Sequence, residues 1–174
     1  MSGLAYARPG SLEELLEILS HLGPRARIIA GGTDLVPAMR RGKFPAGVDT
    51  LVSLSSVPGL DRIWEDGQGW LRLGARVTHA DVVRSELVAA RARLLQEACR
   101  AVGSVQIRNV ATVVGNICNS GPSADTSAPL LALEATLRVL SRQRERMIPL
   151  GQFYTGPSQN VLEPGETPYV KWGG

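Results

Sequence analysis

Leu12, Leu15, Leu16, Leu19 and Leu22 recur at helical spacing, so the stretch after Ser11 predicts an amphipathic helix. Ser11 and Glu14 form a capping-box pattern at its start, and Gly23-Pro24 supplies the stop. Tyr6 falls in a short opening strand. Ile28-Ile29-Ala30 reads as a short buried strand, broken at once by Gly31-Gly32. Thr33-Asp34 can cap a second helix running from Leu35 to about Arg41. Asp49 to Leu54 then reads as a third strand, reached by a second parallel crossover of the usual right-handed sense.

After Ser55 the pattern changes. Leu60 to Trp64 and Trp70 to Leu73 flank a Gly-containing loop and predict a hairpin, with Trp64 and Trp70 pairing across its strands. Ala80 to Arg84 reads as one helical turn. Glu86 to Val102 reads as one helix with Leu87, Leu94, Leu95, Ala98 and Val102 on its buried face. Thr136 to Ser141 and Met147 to Leu150 predict a second hairpin. The expected fold class is α+β, with an N-terminal α/β subdomain over residues 1–55 and a second, mainly antiparallel subdomain with helices over residues 56–170.

The composition bounds this picture without adding a function. The chain has 174 residues, of which 44% are hydrophobic and 20% charged, which excludes disorder, collagen and a coiled coil as whole-chain descriptions. No run approaches the roughly 18 apolar residues of a membrane span, and Met1 to Arg8 lacks the features of a secretory signal. The net charge of +3 is too small to argue for nucleic-acid binding. Among the 19 basic residues only Lys43 and Lys171 are lysines. Cys99 and Cys118 are isolated, without metal-ligand spacing, which fits a reducing, cytoplasmic setting.

Two segments could carry chemistry. In Ile28-Ile29-Ala30-Gly31-Gly32-Thr33-Asp34-Leu35, a strand runs through two glycines into a helix start. Such a turn lets a ligand approach closely and presents N–H groups suited to phosphate. It matches neither the P-loop nor the GxGxxG pattern, and it also reads as a plain strand–turn–helix joint. The second segment, Asn109 to Ala124, carries no charged side chain over sixteen residues and ends at Asp125. Its amides, hydroxyls and glycines suit a backbone lining a buried polar ligand, with Asp125 as acceptor for ribose hydroxyls or an adenine amine. An ordinary turn-rich loop is the other reading. His21 and His79 read as helix-end residues, and neither Cys118 nor any serine sits in a nucleophile setting.

In order and at these separations, the two segments resemble the flavin-binding subunit of molybdenum hydroxylases. That family includes the medium subunit of carbon monoxide dehydrogenase and the FAD domain of xanthine dehydrogenase. The resemblance is carried by Ala30-Gly31-Gly32-Thr33-Asp34-Leu35 and by Ile107-Arg108-Asn109-Val110-Ala111-Thr112-Val113-Val114-Gly115-Asn116. Support comes from Leu73-Gly74-Ala75, Pro122 through Asp125, Pro129 to Leu133 and Pro149 to Gly156. It implies the two-subdomain FAD-binding fold of the vanillyl-alcohol-oxidase (PCMH) type, with FAD as cofactor.

On that resemblance, Ile29, Ala30, Gly31, Gly32, Thr33, Asp34 and Leu35 wrap the pyrophosphate. Thr112, Val113, Val114, Gly115 and Asn116 form a second phosphate-binding turn. Val102 and Gly103 lie against the flavin or its linker, and Asp125 holds the ribose or adenosine end. The implied partners are a molybdopterin-containing large subunit and a [2Fe–2S] small subunit. The chain's task would be electron transfer, with no general acid, base, nucleophile or metal ligand of its own.

Two departures stand out. Val114 occupies a position where the family's motif has glycine, which predicts an extended backbone or a distorted turn there. The family's C-terminal subdomain is not recognisable after Glu166, which predicts a more exposed flavin. Both departures favour a second reading: a truncated, catalytically silent paralogue acting as a structural or interaction domain. A cell-wall sugar-nucleotide reductase of the same flavin fold would need a further substrate domain, for which the chain has no room.

Overall fold

The leucine spacing does produce a helix, α1 (Leu12–Leu22), with Leu15 and Leu19 buried on one face. Ser11 Oγ accepts from the Glu14 N–H at 3.1 Å, as a cap should. The Glu14 carboxylate, expected to reach the Ser11 N–H, accepts instead from Gly10 N–H at 2.7 Å, so the box closes one residue earlier. Gly23 ends the helix at φ +54°, donating its N–H to the Leu19 carbonyl.

The computed structural model describes residues 3–121 and 125–172. Residues 122–124 of the second motif's flank lie outside the described residues. Before α1 comes β1 (Ala5–Ala7); after it come β2 (Ala26–Ile29), α2 (Leu35–Arg40) and β3 (Thr50–Ser53). These strands form a three-stranded parallel sheet in the order β1-β3-β2. β3 is central and wholly buried. β2 lies at the sheet edge, so Ile28 and Ile29 are only half-buried, and Ala30 is exposed beyond the strand's end; the expected buried strand is therefore shifted and partly open. Neither Thr33 nor Asp34 caps α2 through its side chain. The turn is closed by the main chain, Val36 N–H to Gly32 carbonyl at 2.9 Å.

Beyond this sheet the chain forms β4 (Ile63–Glu65), β5 (Leu71–Leu73), α3 (His79–Arg84), α4 (Glu86–Arg91), α5 (Arg93–Ala101) and α6 (Val105–Arg108). Then come α7 (Val113–Asn119), α8 (Ser127–Ala132), β6 (Thr136–Leu140), β7 (Glu145–Pro149), β8 (Tyr154–Gly156), β9 (Gln159–Asn160) and β10 (Thr167–Trp172). The β4–β5 register places Trp64 opposite Arg72, not Trp70. Asp66 holds that turn: its carboxylate accepts from the Gln68 and Trp70 N–H groups and pairs with Arg72.

The single helix expected from Glu86 to Val102 is two helices. Ala92, with φ −149° and ψ 51°, breaks it between α4 and α5. The break re-phases the face: Val88, Ala92, Leu95 and Cys99 are buried, whereas Leu94 is 54% exposed. The expected grouping of Leu87 with Leu94 held only for an unbroken helix.

A five-stranded antiparallel sheet has the order β4-β5-β10-β6-β7. The segment after Glu166, unremarkable as sequence, is its middle strand. Val170, fully buried, lies between Leu73 and Leu137, and Arg138 stacks on the Tyr169 ring 5.2 Å from its centroid. Leu15, Leu19 and Val52 from the parallel half pack in the same continuous core as Leu71, Leu95, Ile117, Leu137 and Phe153. The whole is α+β, and its core joins the two sheets.

Candidate functional site

Gly31 lies against the main chain of the second motif. A Cβ there would fall 2.1 Å from the Val110 carbonyl oxygen and 3.1 Å from Ala111 Cα. Only a residue without a side chain lets these backbones meet, so the two motifs, far apart in sequence, share one junction. Gly32 follows at φ +69°, a conformation disfavoured by residues with a side chain. Together the two glycines help turn the chain from β2 to α2 within five residues. The N–H groups of Gly31, Gly32, Thr33 and Asp34 donate to no acceptor among the described residues. Ile29 ends β2, its carbonyl held by the Leu54 N–H at 3.1 Å, and its side chain packs over Gly32 beside Val36. Leu35 opens α2, half-buried, and Asp34 is exposed.

The second motif is the start of a helix. Thr112 is the N-cap of α7, its Oγ1 accepting from the Gly115 N–H at 3.0 Å. A Cβ on Gly115 would lie 2.7 Å from that Oγ1, so a side chain there would push the Thr112 hydroxyl from its present place. Val113 N–H goes to the Val77 carbonyl at 3.0 Å and Asn116 N–H to the Thr112 carbonyl at 2.9 Å. Among the described residues, the Val114 N–H is the one of these four without an acceptor. Val114 itself is helical, with its side chain buried in the core. Its backbone is neither extended nor at positive φ, so the expected distortion at Val114 is absent. A helical position tolerates a β-branched residue at small cost.

The remaining nominated residues connect to this junction. Arg108 donates to the carbonyls of Val102 and Gly103, at 2.9 and 3.1 Å, and so ties that turn to α6. Gly103 adopts φ +45°. Asp125 is exposed, beside fully buried Thr126, whose hydroxyl donates to Asn116 Oδ1 at 2.7 Å. The structure thus links residues 29–35, 102–103, 112–116 and 125 through Val110, Arg108 and Thr126. Arg108 stood inside the quoted motif without a role. Thr126 had no local signal beyond following Asp125.

His79, read from sequence as a helix-end residue, does open α3 after the Thr78 cap, and it is fully buried. Its N–H holds the Ala111 carbonyl at 3.0 Å, and Thr78 bridges to Thr112. Its Nδ1 lies 3.4 Å from Cys99 Sγ, while Nε2 is buried without a partner among the described residues. Burial pushes the imidazole down to about 4, and the Cys99 thiol up to about 12. Burial likewise raises the Cys118 thiol to about 12, so neither sulfur is an activated nucleophile. Among the described residues, no cluster of His, Cys, Asp or Glu could hold a metal ion, and no helix is long and apolar enough to cross a membrane.

Residues 2–167 match the family described as the FAD binding domain in molybdopterin dehydrogenase. The chain belongs to this family. A xanthine dehydrogenase FAD-binding subunit of Escherichia coli O157:H7 is 32% identical over 164 residues, covering 93% of this chain and 54% of the relative. The carbon monoxide dehydrogenase medium chain of Hydrogenophaga pseudoflava is 32% identical over 161 residues, covering 92% and 55%. Carbon monoxide dehydrogenase from Oligotropha carboxidovorans superposes with a TM-score of 0.91 at 29% identity, over 98% of this chain and 59% of that one. Quinoline 2-oxidoreductase from Pseudomonas putida 86 gives the same TM-score, also at 29% identity. The chain spans about half the length of the curated relatives it matches. The fold is therefore the two-part FAD-binding fold of the PCMH type, and FAD is the cofactor of the FAD-binding domain.

The residues present fit that cofactor. Pyrophosphate is an anion that oriented N–H dipoles hold without lysine, and residues 31–34 present such donors in succession.

Proposed function

We propose that this chain is the FAD-holding part of an electron-transfer subunit in a molybdenum hydroxylase-type oxidoreductase. It would take electrons from a [2Fe–2S] small subunit, fed by a molybdopterin-containing large subunit, and pass them to an external acceptor in the cytoplasm. The observation that carries this reading is the run of free N–H groups from Gly31 to Asp34, held against the second motif by the Gly31–Val110 approach. Bound FAD supplies the capacity to accept and release electrons. This chain's own residues bind and orient it.

In this reading Gly31, Gly32, Thr33 and Asp34 hold the pyrophosphate with main-chain donors, between Ile29-Ala30 and Leu35. Val114 N–H adds a donor from the α7 start, which Thr112, Val113, Gly115 and Asn116 shape. Val102 and Gly103, fixed by Arg108, flank the flavin, and Asp125 accepts from the adenosine end. Residues 1–55 and 56–170 serve as the two subdomains, one turn contributed by each. The rival reading, a silent paralogue, drew on Val114; a helical Val114 removes that support.

Titration of the purified chain with FAD tests the proposal. Saturable quenching of FAD fluorescence is expected, and Gly31→Ala should weaken it by about tenfold or more, since a misplaced pyrophosphate loses charge-assisted hydrogen bonds of about 1.5–3 kcal/mol each. No binding by the unaltered chain at high micromolar FAD would leave the silent-paralogue reading standing. Binding that survives Gly31→Ala in a folded protein would remove the Gly31 junction from the site.

A further inference from the structure

The hydrogen bond between Thr126 and Asn116 is unusual in where it directs a hydroxyl. Thr126 occupies the N-cap position of α8, where a threonine ordinarily accepts a hydrogen bond from the helix's first turn. Here it makes no side-chain cap bond. The fully buried hydroxyl donates to Asn116 Oδ1 at 2.7 Å instead. A side-chain amide is nearly symmetric in shape, and its oxygen and nitrogen exchange places unless a partner of fixed polarity selects one orientation. A hydroxyl can donate or accept, but the fully buried Thr126 O–H has no other acceptor among the described residues, so donating to Oδ1 is the orientation that leaves no buried donor unpaired. With Oδ1 committed to Thr126, the two Nδ2 hydrogens point away from it. They find no acceptor among the described residues. Asn116 is half-buried, two residues after the unpartnered Val114 N–H on the same helix start.

We propose that Thr126 is a positioning residue that locks the Asn116 amide with its Nδ2 donors turned toward an acceptor oxygen of bound FAD. The inference rests on the FAD-binding reading and deepens it. The same bond ties the backbone of exposed Asp125 to α7, so one hydroxyl sets a donor and an acceptor of the site in register.

The test is a double-mutant cycle read by FAD titration of the full chain. Thr126→Val keeps the shape and removes the hydroxyl; it should raise the FAD Kd about tenfold, the equivalent of about 1.4 kcal/mol. Thr126→Ser retains the donor and should stay within about twofold of the unaltered chain. In an Asn116→Ala background, Thr126→Val should cause no further loss, because its effect runs through the amide; a purely structural role would persist there. Independently of any variant's folding, the Asn116 side-chain NH2 resonances of the unaltered chain should shift on adding FAD.

A Thr126→Val Kd within about twofold of the unaltered chain, an equal loss in the Asn116→Ala background, or unmoved Asn116 amide resonances at saturating FAD would each overturn the inference. In those cases FAD binding by the unaltered chain still stands. Absence of FAD binding by the unaltered chain overturns the functional reading and this inference together.

Discussion

Acidification from pH 7 to pH 5 should destabilise this protein through one residue, His79. Its imidazole is fully buried. Burial is the main cause that lowers it from the ordinary 6.5 to about 4; the Asp125 carboxylate opposes the drop and the Arg108 guanidinium adds to it. In the unfolded chain the ring takes up a proton as pH falls through 6.5, while the folded ring stays neutral until about 4. The unfolded state therefore binds the extra proton, and the stability His79 contributes is complete above pH 6.5 and is lost on descending toward 4. Between pH 7 and 5 the loss is about 2 kcal/mol, with a slope near one proton per molecule around pH 5.5.

That range isolates the histidine from the depressed carboxylates. Asp66, Asp81, Glu145 and Glu166 all sit below their ordinary values of 3.8 or 4.5, so their contribution is present above those values and disappears only at lower pH. For Glu166 burial pushes upward, but the Arg146 hydrogen bond and charge outweigh it. Urea unfolding at half-unit pH steps from 7 to 5, on the unaltered chain and on His79→Phe, measures the effect. The unaltered chain should lose about 2 kcal/mol, roughly an eighth to two-fifths of a typical domain's stability, and the variant should show a flat profile. A flat profile in the unaltered chain, or an equal slope in both, would refute the assignment. Because the folded ring stays neutral until about 4 and the bond from His79 to the Ala111 carbonyl is made by the main-chain N–H, FAD affinity of the folded chain should hold over the same interval.

Two other substitutions test particular parts of the structure. Val114→Gly removes a buried side chain from a helix interior and should cost about 2–4 kcal/mol in urea unfolding, while changing FAD affinity less than about threefold; a clear gain in affinity would restore the idea that valine strains this turn. Val170→Ala, in the middle strand of the five-stranded sheet, should cost about 2–3 kcal/mol, and unchanged stability would mean that the strand is not part of the core.

Much of the local structure was legible because its causes lie within a few residues. Ser11, the leucine spacing and Gly23-Pro24 mark α1 by themselves. The β6–β7 hairpin follows from two apolar runs around a polar turn. The glycine pair at 31–32 pointed to a sharp turn between strand and helix, which Gly32 makes at positive φ. The motifs, by their order and separation, pointed to the FAD-binding family, since short-range spacing is what they encode.

What depended on partners distant in the chain was not legible. Nothing near Ala92 breaks a helix; the break is seen only in the folded chain, where it brings Val88, Ala92, Leu95 and Cys99 together into the buried set. Thr167–Trp172 carries no signal of being a central strand, because that place is set by Leu73 and Leu137 on either side. Gly31 looked like a ligand-side glycine, yet its nearest constraint is the Val110 carbonyl, 79 positions further on. Likewise, no spacing rule joins Thr126 to Asn116 or buries His79 against Cys99. Residue order settles caps, turns and helical faces, whose interactions close within one or two turns of chain. Close approach between backbones, the polarity of an amide and the burial of an imidazole arise only when separate segments exclude water from one another, and these decide how the site is held.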